Sequence, residues 1–336
     1  MRLAPQSLRA LRWVAAVVLA AACGDATSPD NAATPGAISF DGGVLRAHVR
    51  TLAADSMCGR EAGSPYEVQA ATYVRDAFIA AGLEPGAGSG YLQSVPLGPR
   101  GAPVDRSPNP QCETTLTFTS QNVLGVLPGA GSLMGQWVVL GAHYDHLGWH
   151  NRDGVVVVFN GADDNASGTA LMLETARLLR QWVVTHPAAA AERRSIMFQA
   201  YGAEELGLVG STRFVFQDPT IPVDSIVAML NLDMVGRLRD ALIVGGSATA
   251  PTWPTVLAAA VPSGLPLTYD DGVLNRSDQY GFLLLGVPVL HLFTGLHQEY
   301  HTSSDDPPLL NIDGMRTVGR FAIGLLWELA TRAGPF

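Results

Sequence analysis

Positive charge is scarce in this chain. Lys and Arg number 21 against 30 Asp and Glu, giving a formal net charge of −9. A chain without a basic excess lacks the face that a phosphate backbone requires, which excludes nucleic acid as a partner. Long apolar runs are missing too. The apolar stretch near the start, "WVAAVVLAAA" (Trp13 to Ala22), falls well short of the roughly 20 residues needed to cross a bilayer. No repeat period is present, and no run of the 36 Gly and 22 Pro forms a low-complexity tail. What remains is 47% hydrophobic residues with 15% charged, enough apolar material for a sizeable core. At 336 residues the chain exceeds the usual 100–150-residue domain, yet one large α/β domain reaches this size.

The first residues read as a targeting segment. Arg2, Arg9 and Arg12 form a positive start, and the short apolar stretch ends in small residues, as a signal peptide over 1–22 would. Cleavage there removes those three arginines and takes the formal charge from −9 to −12. "LAAAC" resembles a bacterial lipobox with Cys23 as the lipidated residue, although Ala20 stands where Leu is usual. Ordinary cleavage after an Ala-x-Ala site is the alternative, so the protein is expected to be exported: periplasmic, lipid-anchored to the membrane through Cys23, or secreted. Cysteine is limited to three residues, which fits export. With Cys23 lipidated, Cys58 and Cys112 remain as a candidate disulfide or as two free thiols.

"GDATSPDNAATPG" (Gly24 to Gly36) is small and polar, and residues 23–40 are expected to be a flexible tether before a single catalytic domain at 41–336. Helical periodicity predicts helices near 41–56 and 65–81, and the Gly- and Pro-rich stretch 86–113 reads as a long loop. Strands and helices then alternate. "WVVLGAHYD" begins as the continuous apolar run of a strand buried on both faces, and "SIMFQAYG", "SIVAMLNLDMV" and "VPVLHLF" behave alike. "ALIVGG" is expected beside the strand of "SIVAMLNLDMV". "SGTALMLETARLLRQWV", "STRFVFQD" and "NIDGMRTVGRFAIGLLWELATR" supply the intervening and closing helices, and "SDQYGFLLLG" leads into the strand "VPVLHLF". The alternation predicts an α/β fold with a mixed, mostly parallel central sheet and helices on both faces.

Ligands bind at the carboxyl ends of the strands in such sheets. His143 and Asp145 end one strand, Glu204 and Glu205 follow another, and Asp233 lies at the end of a third. Each residue has a bland alternative when taken singly. His143 could be a buried structural histidine, and Asp163, Asp164 and Asn165 in "GADDNASG" could cap the helix near Ser167. Asp233 could end a strand, and His301 could decorate a loop. Together they offer imidazoles and carboxylates suited to a two-metal hydrolytic site, with one carboxylate to spare.

"AHYDHLG", "GADDNASG", "GAEELGLVGS", "NLDMVGR" and "YHTSSDDP", in this order, resemble the co-catalytic di-zinc aminopeptidases. That family includes secreted bacterial leucyl aminopeptidases and, more distantly, glutamate carboxypeptidases and glutaminyl cyclases. The resemblance covers about residues 50–332, because "CGREAGSPYEVQAATYVRDAFIAAGLEP" also looks like the family's N-terminal stretch. It implies a three-layer α/β/α fold and two zinc ions per chain. His143 and Asp233 would bind one ion, Glu205 and His301 the other, and Asp164 would bridge them. Glu204 would be the general base, and Asp145 would fix the His143 tautomer. His146 and His150 add imidazoles beside the site and are expected to line or brace the loop rather than bind metal, Asp163 to orient Asp164 or cap the helix, Asp278 and Tyr280 to lie near the substrate cleft, and His291 and His297 to be structural.

The resemblance implies removal of N-terminal residues from peptide substrates. A carboxypeptidase or dipeptidase of the same fold stays open, since Arg237, Arg239 and Arg276 could hold a terminal carboxylate. A glutaminyl cyclase fits less well, because cyclases of this family work with one zinc. A non-catalytic binding ectodomain would have lost ligands that are present here. Nothing in the sequence sets the oligomeric state.

Overall fold

A computed structural model describes residues 28–29, 32–99, 111–112, 115–262 and 264–334. The expected signal peptide (1–22) and Cys23 lie outside the described residues.

The strands are β1 Glu84–Pro85, β2 Leu92–Pro96, β3 Thr119–Leu127, β4 Trp137–His143, β5 Trp149–Arg152, β6 Val155–Val158, β7 Ser195–Tyr201, β8 Ile226–Leu232, β9 Leu242–Gly245, β10 Leu267–Tyr269 and β11 Val289–Phe293. Nine of them form one sheet in the order β1-β3-β7-β4-β8-β11-β9-β10, with β2 also paired to β3; β5 and β6 form a separate hairpin. The central strands β7, β4, β8 and β11 run parallel. Antiparallel pairs join β3 to β7 and β9 to β11, so the sheet is mixed, as expected, with its parallel part at the centre.

Burial explains why those four sequences became central strands. Side chains alternate between two faces. Val138, Leu140, Ala142, Phe198, Leu230 and Leu290 join one buried cluster, while Val139, Met197, Met229 and Val289 join another. Helices α1 (Gly42–Leu52), α2 (Pro65–Ala80) and α3 (Gly168–Thr185) contribute to the first cluster. The short helix α4 (Val209–Thr212) runs on into a further helical segment, Arg213–Gln217, that carries Phe214. The first cluster also takes residues of α5 (Trp253–Ala260) and of the closing helix α7 (Ile312–Thr331). Phe214 and Phe282 of α6 (Gln279–Leu284) cover the opposite face. Capping fixes several starts. Asp41 accepts the Gly43 N–H, Ser64 the Glu67 N–H, and Asn311 the Gly314 N–H.

Four expectations need correction. Residues 32–40 are not a loose tether: Ile38 and Phe40 are buried, and the Ala32 carbonyl accepts the Trp182 indole N–H at 3.0 Å. Small polar composition concealed the apolar Ile38 and Phe40 that dock this segment. The stretch 86–113 contains β2, whose alternating burial marks an amphipathic edge strand. The first helix stops at Leu52, and residues 55–60 form a tight turn. Strand β9 does not adjoin β8. After β10 the chain returns through α6, which packs on both β8 and β11, and the following strand β11 lies between β8 and β9, parallel to β8 and antiparallel to β9.

Candidate metal centre

The carboxyl ends of the central strands meet in one cleft. His143 is the last residue of β4, Glu204 and Glu205 sit on the turn after β7, and Asp233 directly follows β8. Asp164 comes from the loop before α3, and His301 from the loop after β11. Local backbone shape serves this convergence. Ala203, Met234 and His301 have φ of 58°, 52° and 56°, a left-handed conformation that costs non-glycine residues energy and gathers at functional sites. Gly161, at φ 56°, allows the loop to close: a Cβ there would lie 2.2 Å from the Asp164 carbonyl oxygen.

The Asp164 carboxylate faces two imidazoles. Its Oδ1 lies 3.2 Å from His143 Nε2, and its Oδ2 lies 3.1 Å from His301 Nε2. His143 Nε2 is also 3.4 Å from Asp233 Oδ1 and 4.0 Å from Glu204 Oε2. His301 Nε2 is 3.3 Å from Glu205 Oε2. Two groups able to hold an ion result on either side of Asp164. In one, His143, Glu204 and Asp233 have ligand atoms within 4.8 Å of one another. In the other, His146, Asp164 and Glu205 do the same, and His301 reaches both carboxylates.

Electrostatics favours a cation here. Asp145, Asp164 and Asp233 are buried, with Glu204 and Glu205 partly so. Asp233 Oδ1 and His146 Nε2 are buried with no hydrogen-bond partner. Burying so many carboxylates is costly unless positive charge compensates them. In the metal-free chain the histidines respond. Burial pushes His143 down, but Glu204 and Asp233 hold it well above the ordinary imidazole value. Burial likewise opposes, and Asp164 and Glu205 overcome it, to raise His301 to about 10. The residues present therefore fit a borderline divalent cation such as zinc.

The adjacent glutamates are driven apart. Burial, reinforced by Asp278, Asp233 and Glu205 against the pull of His143, lifts Glu204 well above the usual carboxylate range. Burial and Asp164 push Glu205 upward as well, yet hydrogen bonds with His146 and His301 hold it below its ordinary value. Neighbouring groups whose environments separate their proton affinities carry different tasks.

The profile of Peptidase family M28 matches residues 122–326. The chain belongs to peptidase family M28. Leucine aminopeptidase 1 of Uncinocarpus reesii is 30% identical over 223 residues, 62% of this chain and 54% of that protein. This M28 chain thus spans about half the length of the curated relatives it matches. Among solved structures, BSAP, a zinc aminopeptidase from Bacillus subtilis, aligns with TM-score 0.65 at 19% identity, covering 88% of this chain and 96% of that one. LapA aminopeptidase from Legionella pneumophila aligns with TM-score 0.64 at 21% identity over 88% of this chain and 73% of its own. These likenesses show the M28 fold: a mixed sheet with helices on both faces.

Around the M28 cleft, the remaining candidates separate. The Asp145 carboxylate accepts the backbone N–H groups of Glu204 (3.0 Å) and Glu205 (3.3 Å), while His143 Nδ1 lies nearer the Asp145 carbonyl, at 3.3 Å. Asp145 therefore anchors the glutamate turn as well as the imidazole. His146 lies beside the site, its Nδ1 being 2.7 Å from Glu205 Oε1. His150 stays on β5, edge-on to Phe159. Asp163 does not cap α3. Its Oδ1 accepts the Gly236 N–H and the Ser167 hydroxyl, and Asn165 Oδ1 takes the Gly168 N–H instead. His297 Nε2 lies 3.3 Å from Asp163 Oδ2. Asp278 is fully buried and raised to about 7 by that burial, and Tyr280 is half-buried. His291 is buried on β11. Arg60 and Asp305 carry much of the site's support, and sequence reasoning gave them no role. The "CGREAGS" and "YHTSSDDP" stretches that contain them were the available signal.

Proposed function

We propose that this protein is an exported di-zinc aminopeptidase that removes N-terminal residues from peptides. The observation that carries the reading is the Asp164 carboxylate, one oxygen on His143 and the other on His301. His143 and Asp233 would hold one zinc, Glu205 and His301 the other, and Asp164 would span both. When bound, the zinc pair supplies Lewis acidity and brings water towards ionisation at neutral pH. Glu204 Oε2 accepts the proton of the attacking water and returns it to the leaving amine, a task suited to a carboxylate with raised proton affinity. Asp145 holds the turn that presents Glu204 and Glu205. His146 orients Glu205. Export is supported by the start of the sequence and by the Cys58–Cys112 disulfide, a bond that persists in oxidising compartments. Export would leave the protein periplasmic, lipid-anchored through Cys23 or released into the medium.

A carboxypeptidase or dipeptidase reading has one observation in its favour. Arg237 and Arg239 border an open cavity of about 550 Å³ beside the His297–Glu299 segment. Against it, Arg237 is already occupied by Asp305 at 3.1 Å and Glu299 at 3.6 Å. The test is a panel of aminoacyl amides and short peptides, each with its N-acetylated form, with zinc quantified per chain. Metal-dependent turnover confined to free-amine substrates supports the aminopeptidase. Equal turnover of the acetylated forms would transfer the protein to the carboxypeptidase class, and absence of turnover on every free-amine substrate would sink the leading reading.

A further inference from the structure

The loop from Asn160 to Asp164 is buried, so each of its backbone polar groups needs a partner. Two residues outside it supply several of those partners. Arg60, wholly buried, donates through Nη1 to the Asn160 carbonyl (2.7 Å) and through Nη2 to the Gly161 carbonyl (3.1 Å). Its Nε donates to the Tyr144 carbonyl at 2.8 Å, next to His143. From the other side, the Asp305 carbonyl accepts the Ala162 N–H at 2.9 Å. Asp305 Oδ2 accepts the N–H groups of both Asp163 (2.8 Å) and Asp164 (3.0 Å). Its remaining oxygen, Oδ1, accepts from Arg237 Nη2 at 3.1 Å.

The connectivity ties the ligands together. Asp305 lies on the segment that carries His301, Arg237 on the segment that carries Asp233, and both converge on the backbone of Asp164. A carboxylate shared between two ions must present both oxygens at fixed angles, and a side chain on an irregular loop has no helix or strand to fix it. We propose that Asp305 is a positioning residue, which with Arg60 clamps the Asn160–Asp164 loop so that Asp164 meets both metal sites. The proposal rests on the di-zinc reading above. Outer-shell partners of this kind are worth about 10–100-fold in metal affinity.

The test compares two doubly substituted chains, Asp305→Asn with Arg237→Gln and Asp305→Ala with Arg237→Gln. Both remove the Arg237–Asp305 charge pair, and only the first keeps an acceptor for the Asp163 and Asp164 N–H groups. Zinc affinity is measured by chelator competition and coordination geometry by the visible spectrum of the cobalt-loaded protein, with circular dichroism to establish folding. The asparagine version is expected to keep near wild-type affinity and spectrum. The alanine version is expected to bind zinc about 10–100-fold more weakly, with an altered spectrum. Equal affinities and spectra in the two would overturn the proposal. Should the alanine version not fold, Asp305→Glu decides: it keeps the charge but displaces the oxygens, so wild-type affinity in that variant overturns the proposal. A wild-type chain that binds no zinc would instead remove the metal-centre reading itself.

Discussion

Glu204 and Glu205 are one peptide apart but address different histidines: Glu204 Oε2 lies 4.0 Å from His143 Nε2, and Glu205 Oε2 lies 3.3 Å from His301 Nε2. The same turn thus serves both halves of the site, and the two carboxylates can be separated by mutation. Glu204→Gln is expected to retain both zinc ions while kcat falls about 10²–10⁴-fold, the range attributed to a general base. Glu205→Gln is expected to lose zinc affinity. Metal analysis alongside kinetics checks the pair, and full metal in Glu205→Gln with an emptied Glu204→Gln would exchange their roles.

Asp145 is placed to be felt at a distance from any ion. Its carboxylate holds the N–H groups of both glutamates, and an amide in its place would offer an N–H₂ group where an acceptor is needed. Asp145→Asn should weaken zinc binding about 10–100-fold with the fold intact. Chelator competition measures it; an affinity unchanged from wild type would show that the turn holds itself.

The Cys58–Cys112 disulfide joins residues 54 apart in sequence and packs against Trp149. Closing a loop of this length restricts the unfolded chain. Replacing both cysteines by serine is therefore expected to cost roughly 2–4 kcal/mol in denaturant unfolding. Reductant should lower the wild-type stability similarly and leave the serine variant unaffected.

His48 on α1 provides a pH signature away from the cleft. Burial, with a smaller contribution from Arg177, pushes it from 6.5 down to about 4, while its Nδ1 meets the Tyr73 hydroxyl at 2.7 Å. Between those values the unfolded chain binds a proton that the native chain refuses, so stability rises with pH. The contribution is complete above 6.5 and is lost as pH falls towards 4, amounting to at most about 3 kcal/mol. His48→Gln, which cannot titrate, should flatten the stability profile across that window. A profile parallel to wild type would contradict the assignment.

Much of this was legible beforehand. The four central strands announced themselves because a strand covered on both faces needs an unbroken apolar run, and "WVVLGAH" and "SIMFQAY" provide one. Strand β2 and residues 32–40 did not, since an edge strand carries only half the apolar signal and a docking segment needs only Ile38 and Phe40. Arg60 and Asp305 escaped for a different reason. Their partners are backbone carbonyls and N–H groups far along the chain, and every residue type supplies those groups.

By itself the sequence determined the chemistry available, because strand periodicity places His143, Glu204, Glu205 and Asp233 at the ends of buried runs where ligands bind. It also placed two carboxylates, Glu204 and Glu205, side by side at one strand end. Tertiary structure alone decided that Asp164 turns one oxygen to His143 and the other to His301, that Asp145 grips the glutamate turn, and that His146 reaches Glu205. Those relationships depend on loops converging from separate strands. Their geometry is set by buried hydrogen bonds between residues that no local pattern connects.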